Sequence, residues 1–431
     1  MLTKKNIFSK FAFQRTIIFI LKWLSITVLI GIIVGSISAF FLSSLSWVTN
    51  YRELHPAIIV GLPIAGLLIG ILYYYYGGLS SKGNNLLLKE YYQSEQTIPL
   101  RMAPLVLVST LLTHLFGGSA GREGTAVQIG GVIADQCTRV FKLNQDDRKI
   151  LIIMGISAGF ASVFGTPWAG AIFGLEVITG GKSRLKAFIP SIIVAFVANY
   201  ACSFWNVAHT HYQIHESIPA INSQYMLYTI AAGVVFGLAA YLFTRCSDFF
   251  TAIFNQINYP PLRPFIGGLI LVATIWLLGN TRYIGLGIPT ILASFDSPLN
   301  AYDFLIKLLL TTFTLAAGFK GGEVTPLFFI GATLGNALFS IIPLPLGLLA
   351  AMGFIAVFAG ATNTPLACLI MGIELFGYEA GIYFTVACLI AYFCSGSTGI
   401  YATQMQKGPK HRFYLHLRTR RASLYDKLKN F

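Results

Sequence analysis

Charge is the scarcest commodity in this 431-residue chain. Only 11% of its residues are charged, and the 16 acidic ones are outnumbered by 30 basic ones. Soluble globular domains carry roughly 25% charged residues, so an ordinary soluble domain is excluded. The six cysteines, Cys137, Cys202, Cys246, Cys368, Cys388 and Cys394, include no Cys-x-x-Cys pair. They read as small buried hydrophobes rather than as a redox or zinc framework. No His-Glu-x-x-His signature occurs, and the polar cluster His209, His211, His215 and Glu216 has no zinc-ligand spacing. It reads as a solvated loop, and neither metal nor cofactor is expected. No Ser/His constellation and no paired Asp in apolar context points to an enzyme. Strict apolar–polar alternation is missing, which argues against a membrane barrel.

What fills the chain instead is apolar sequence. Hydrophobic residues make up 55%, and uncharged runs cover Trp23–Asn50, Pro56–Ser81, Ser217–Thr244, Val324–Ile373 and Ala380–Gln406. A bilayer span takes about 20 apolar residues, and in lipid only helices and closed barrels satisfy their backbone. The chain therefore reads as an all-α polytopic membrane protein. Its first apolar segment is too long for a signal-peptide core, and more apolar sequence follows.

The formal net charge of +14 is concentrated at the ends. Lys4, Lys5, Lys10 and Arg15 precede the first span; Lys407, Lys410, Arg412, Arg418, Arg420, Arg421, Lys427 and Lys429 follow the last. The positive-inside rule places both termini in the cytoplasm, with the chain in the cell's inner membrane. The basic tail has no aromatic platform for nucleic acid and reads as a topology anchor on anionic lipid. A division follows: tails at 1–15 and 406–431 flank two membrane halves, 16–220 and 221–405.

The halves are suggested by repetition. Gly83-Asn84-Asn85 is echoed by Gly285-Leu286-Gly287, and Gly121-Arg122-Glu123-Gly124 by Gly321-Gly322-Glu323-Val324. Thr166-Pro167 with Glu176 is echoed by Thr364-Pro365 with Glu374. Three echoes in one order are the mark of a duplication. If each half crosses the membrane an odd number of times, the halves are inverted, and broken helices from both meet at the midplane.

The two glycine-set glutamates are the strongest functional signal. A carboxylate at membrane depth costs ~2.5–3.5 kcal/mol even on insertion scales, so it needs a reason. The glycine-rich stretch 117–131 is expected to be a loop that opens a helix near Gly124, whose free N–H groups welcome an anion. Glu123 then competes with an anion for those donors, or simply caps its helix and pairs with Arg122. Thr325 is expected as an N-cap ahead of Pro326. Glu323 relays protons, or pairs with Lys320. Gly83-Asn84-Asn85 is an anion-binding loop or an ordinary turn. Glu176 and Glu374 read as helix ends or structural partners. Tyr401, after a glycine-rich break, lines a pore or belongs to an interfacial belt.

Together these elements resemble the CLC family of chloride channels and anion/proton antiporters. Gly121-Arg122-Glu123-Gly124 is similar to that family's gating-glutamate motif. Gly83–Leu87 stands where its first anion-binding loop does, Gly322–Pro326 where its second does, and Tyr401 where its pore tyrosine does. The resemblance implies an inverted repeat with tilted and re-entrant helices, in a homodimer with one pore per subunit. The departures matter as much. Asn84 replaces a usual serine, Thr125 a proline and Val324 a phenylalanine, Glu323 is an added acid, and the usual inner proton-relay glutamate would fall at Val177. These departures resemble the fluoride-exporting clade. The resemblance then implies a fluoride/proton antiporter, with Glu123 and Glu323 in gating and proton coupling. It implies anion contacts from Asn84, Asn85, Gly124, Thr125, Val324, Thr325 and Tyr401. A chloride/proton antiporter or chloride channel of the same family is the alternative.

Overall fold

The structure, a computed structural model, describes residues 2–178, 183–405 and 408–416, with side chains from residue 16 onward. The side chains of Lys4, Lys5, Lys10 and Arg15 lie outside the described residues. So do Lys407, Arg418, Arg420, Arg421, Lys427 and Lys429, and with them most of the expected charge anchor.

The protein is an all-α polytopic membrane protein. Among the described residues, eight α-helices precede the loop at 205–222: α1 (Leu2–Leu54), α2 (Leu62–Leu72), α3 (Asn84–Gln93), α4 (Met102–Leu115), α5 (Glu123–Val140), α6 (Gln145–Phe164), α7 (Pro167–Glu176) and α8 (Ser183–Phe204). Eight follow it: α9 (Ser223–Asn255), α10 (Leu262–Leu278), α11 (Ile288–Asp296), α12 (Asp303–Ala316), α13 (Val324–Leu338), α14 (Leu346–Thr362), α15 (Pro365–Phe376) and α16 (Gly381–Cys394). Among the described residues, four helical stretches are long and apolar enough to cross a bilayer: Thr16–Leu54, Pro56–Lys82, Ser183–Phe204 and Ser223–Asn255. Six further apolar helices have 10–17 residues and pack inside this frame.

The interior is built by α6 and α14. Every residue of α14 is buried, which a helix apolar on all sides requires. Each pairs with the glycine-bearing helix before it. A Cβ on Gly130 of α5 would meet the Gly155 carbonyl of α6 at 2.2 Å, and one on Gly331 of α13 would meet the Gly353 carbonyl of α14 at 2.0 Å. Where lipid and interior are equally apolar, such close backbone contact is what holds helices together. Near the N-terminus of α6, buried Arg148 joins Asp135 at 2.6 Å and Glu90 at 3.3 Å.

Two contacts between the halves are reciprocal. Gly121 N–H donates to the Gly322 carbonyl at 2.6 Å, and Gly322 N–H to the Gly121 carbonyl at 2.7 Å, in an antiparallel bridge. Glu176 accepts from the Leu366 and Ala367 N–H groups, and Glu374 accepts from those of Trp168 and Ala169. Self-reciprocal contacts are what a two-fold operation between repeats produces.

The bridge corrects the register expected from the sequence. Matching glutamate to glutamate makes Glu123 and Glu323 equivalent. The hydrogen bonds instead pair Gly121 with Gly322, so Glu123 corresponds to Val324 and Glu323 to Arg122. Gly117 and Gly318 obey the same register, with φ of +86° and +109°. Residue identity misaligned the motifs; backbone conformation aligns them.

Candidate functional site

The site forms where α5 and α13 begin, on either side of the glycine bridge. α5 starts at Glu123 itself, one residue ahead of the expected Gly124. At α13 the N-cap position belongs to Glu323, not Thr325. Thr325 stands two residues further in, and its N–H and hydroxyl are turned toward the other half. Its N–H donates to the Glu123 carboxylate at 3.0 Å, and its hydroxyl donates to the other carboxylate oxygen. Arg122 N–H donates to Glu123 at 3.1 Å, and the Arg122 guanidinium Nε lies 3.6 Å away. The Glu123 carboxylate therefore caps the partner half's helix. It occupies the donors that a helix N-terminus offers to an anion.

On the other side of Gly124 lies a cavity of about 150 Å³, its walls including Asn84, Gln128, Lys320, Glu323 and Tyr401. A Cβ on Gly124 would sit 3.0 Å from Asn84 Nδ2 and 3.7 Å from Glu323 Oε2. Asn84, Gly124 and Glu323 thus converge, and only a bare Cα leaves room between them. Asn84 Oδ1 and Glu323 Oε2 are both buried without a hydrogen-bond partner. Buried polar atoms are paired in nearly all native structures, so two orphaned acceptors beside one cavity mark a place where a proton or another hydrogen-bond donor is received. Lys320 does not pair with Glu323. Its ammonium lies 4.2 Å from the Tyr73 ring centroid, and among the described residues no ion pair joins it to an acid.

The remaining residues singled out in the sequence are distributed around this centre. Tyr401 is buried and also lines a narrow apolar space with Asn84 and Val177. Asn85 borders the main cavity, while its side-chain carbonyl accepts from Thr403 N–H at 3.1 Å. That bond pins the segment carrying Tyr401. The Thr125 hydroxyl pairs with the Thr110 hydroxyl at 2.7 Å, and Val324 is packed in the apolar core. In the outlying loop, Glu216 accepts from Gly347 N–H at the start of α14, and His209 Nε2 lies 2.9 Å from the Ser162 carbonyl.

Several participants were missed in the sequence. Fully buried His114 places Nε2 3.3 Å from the Gly121 carbonyl. Arg52 donates to the His114 carbonyl at 2.8 Å. Lys307 donates to the carbonyls of Tyr283 and Gly285 at 2.9 and 2.7 Å. These buried basic side chains fasten the glycine loops from behind. Lys307 stands alone in an apolar run, so the argument that singled out Glu123 would have found it too.

A family model described as voltage gated chloride channel matches residues 65–396. A protein of Pseudomonas syringae pv. tomato named chloride/fluoride channel protein is 49% identical over 400 residues, covering 91% of this chain and 88% of its own length. An H(+)/Cl(-) exchange transporter of Yersinia pestis is 26% identical over 322 residues, covering 69% of this chain and 66% of its own. Among solved structures, a CLC-type fluoride/proton antiporter superposes with a TM-score of 0.86 at 38% identity. It covers 89% of this chain and 98% of its own. A slow cyanobacterial Cl-/H+ antiporter, at 21% identity and a TM-score of 0.75, shares the fold.

Proposed function

The chain belongs to the voltage gated chloride channel family, and we propose that within it the protein is a fluoride/proton antiporter that removes fluoride from the cell. It would work as a homodimer in the inner membrane, with both termini cytoplasmic. The observation that carries the reading is the placement of Glu323: its unpaired carboxylate oxygen lies within a few ångström of Gly124, in a cavity shared with Asn84 and Tyr401.

The chemistry follows from fluoride itself. The ion is small and strongly hydrated, so its site must replace tight water contacts with strong donors. Backbone N–H groups at the α13 N-terminus, the Thr325 hydroxyl, the Asn84 amide and Tyr401 are such donors. The ionised Glu123 carboxylate holds the Thr325 donors until a proton neutralises it. The neutral carboxyl gives them up, and its own O–H becomes a donor that fluoride accepts well. Proton uptake and fluoride access to one set of donors are thereby coupled. Glu323, on the opposite side of Gly124, is a second carboxylate able to exchange a proton with the anion path, where Val177 offers none. The resemblance to the CLC-type fluoride/proton antiporter and to the protein named chloride/fluoride channel supports the choice of ion.

The test is electrode-recorded fluoride and chloride efflux from proteoliposomes, with pH followed in the same sample. Fluoride efflux that drives protons inward, with chloride carried far more slowly, is the expected result. Chloride passing as readily as fluoride would instead identify a chloride/proton antiporter or chloride channel.

A further inference from the structure

Beyond the ion path lies a second donor-rich hollow, under the last helical segment. A cavity of about 60 Å³ lies between the 397–405 segment and the short helix at 409–416. Tyr401, Ser397 and Thr398 line one side, His411 and Lys410 the other. That volume holds at least one water-sized occupant.

Lys410 is the unusual member. It is 3% exposed, and its Nζ donates to Asn363 Oδ1 at 2.6 Å and to the Ser395 hydroxyl at 2.8 Å. The Tyr392 ring centroid lies 5.0 Å away. Both acceptors are neutral, and among the described residues no ion pair joins Lys410 to an acid. A buried ammonium is ordinarily paired with an opposite charge. Here two of its three protons are used, no described acid cancels its charge, and the free space beside it is bordered by further donors. Asn363, which holds Lys410, also donates to Gln404 at 2.9 Å, and Gln404 donates to the Val177 carbonyl at 3.0 Å. The hollow is thereby tied to the segment that carries Tyr401.

We propose that this hollow is an anion-holding site at the C-terminal face of the protein, taking a small monovalent anion against the Lys410 ammonium before it passes Tyr401. The inference rests on the anion-transport reading above but not on fluoride being the anion. Its pH behaviour follows from position. Burial pushes the Lys410 ammonium down to about 7. The site is therefore charged below that pH and loses its charge above it. Among the described residues, the other titratable groups facing it are Tyr392 and Cys394 of α16, Tyr401, and His411 on its own helix.

Vesicles captured through a C-terminal tag present this face to the bath, and an acidic lumen drives fluoride uptake in exchange for protons. With the pH difference across the membrane held constant, the half-saturating bath fluoride of the wild type should rise between bath pH 6 and pH 8, while the ion ratio holds. Lys410→Met should raise it about fivefold or more already at pH 6. Lys410→Arg should restore it and make the pH profile shallower than that of the wild type, because arginine stays charged throughout and only the proton dependence brought by Glu123 remains. A flat wild-type profile would overturn the site. So would a Lys410→Arg profile as steep as that of the wild type, or a Lys410→Met defect in maximal rate alone. The comparison of wild type with Lys410→Arg decides even if Lys410→Met fails to fold. Should the wild type carry chloride and not fluoride, the fluoride reading falls, and the same series run with chloride still judges the site.

Discussion

Glu176 and Glu374 each cap the helix that the other terminates. Glu176 ends α7 and accepts from Leu366 and Ala367 at the start of α15; Glu374, near the end of α15, accepts from Trp168 and Ala169 at the start of α7. The equal proline-to-glutamate spacing in the two halves is explained by this exchange. Each helix is one span of a reciprocal clamp, and its length is set by the distance between the two caps. Hydrogen bonds to a charged group are worth about 1.5–3 kcal/mol. Glu176→Ala and Glu374→Ala should each lower thermal stability in detergent by about that amount, and the double variant by less than the sum. An altered ion ratio with unchanged melting would show that the glutamates serve transport instead.

Glu123 and Glu323 should respond differently to neutralisation. Glu123→Gln keeps the side-chain shape but cannot cycle a proton, so anion flux should continue without proton movement. Glu323→Gln should alter coupled transport. Simultaneous fluoride and pH recording distinguishes them: fluoride-driven proton movement persisting in Glu123→Gln would defeat its assignment, and wild-type coupling in Glu323→Gln would remove Glu323 from the path.

The glycine bridge tolerates no side chain. A Cβ on Gly322 would lie 2.7 Å from the Gly124 backbone nitrogen and 3.1 Å from that of Glu123. Backbone cannot step aside as a flexible side chain does. Gly322→Ala should cost about 1–3 kcal/mol and separate the two helix starts. Reduced folded yield together with impaired transport is expected. Normal melting and normal flux would mean that the bridge is looser than its hydrogen bonds indicate.

Arg148 should be the most sensitive position away from the site. Its guanidinium holds Asp135, Glu90 and the Gln96 carbonyl together, all close to the start of α6. Removing one partner of a buried ion pair costs about 3–5 kcal/mol, because the acids are left uncompensated. Arg148→Met should abolish folded expression, and pairing it with Asp135→Asn should recover part of the loss. Size-exclusion yield in detergent reads both.

The outcomes were legible to different depths. Sparse charge and long apolar runs announced a membrane helix protein, since the cost of burying charge in lipid depends on composition and not on folding. The duplication and the two glycine-set glutamates were visible for the same reason: glycine and acid are rare choices in such runs. Residue identity could not, however, set the register of the two copies. The backbone hydrogen bonds of Gly121 and Gly322 pair those two residues and leave Glu123 opposite Val324. Nor could it set direction. Thr325 suits an N-cap by type, yet its donors reach across to Glu123, which lies 202 positions away. Asn84, Glu323, Tyr401 and Lys410 become neighbours of their cavities only when both halves close on each other. The sequence by itself determined which groups would be costly in a membrane; the tertiary structure decided which partners offset that cost and which acceptors, Glu323 Oε2 and Asn84 Oδ1 among them, were left open to a proton or donor.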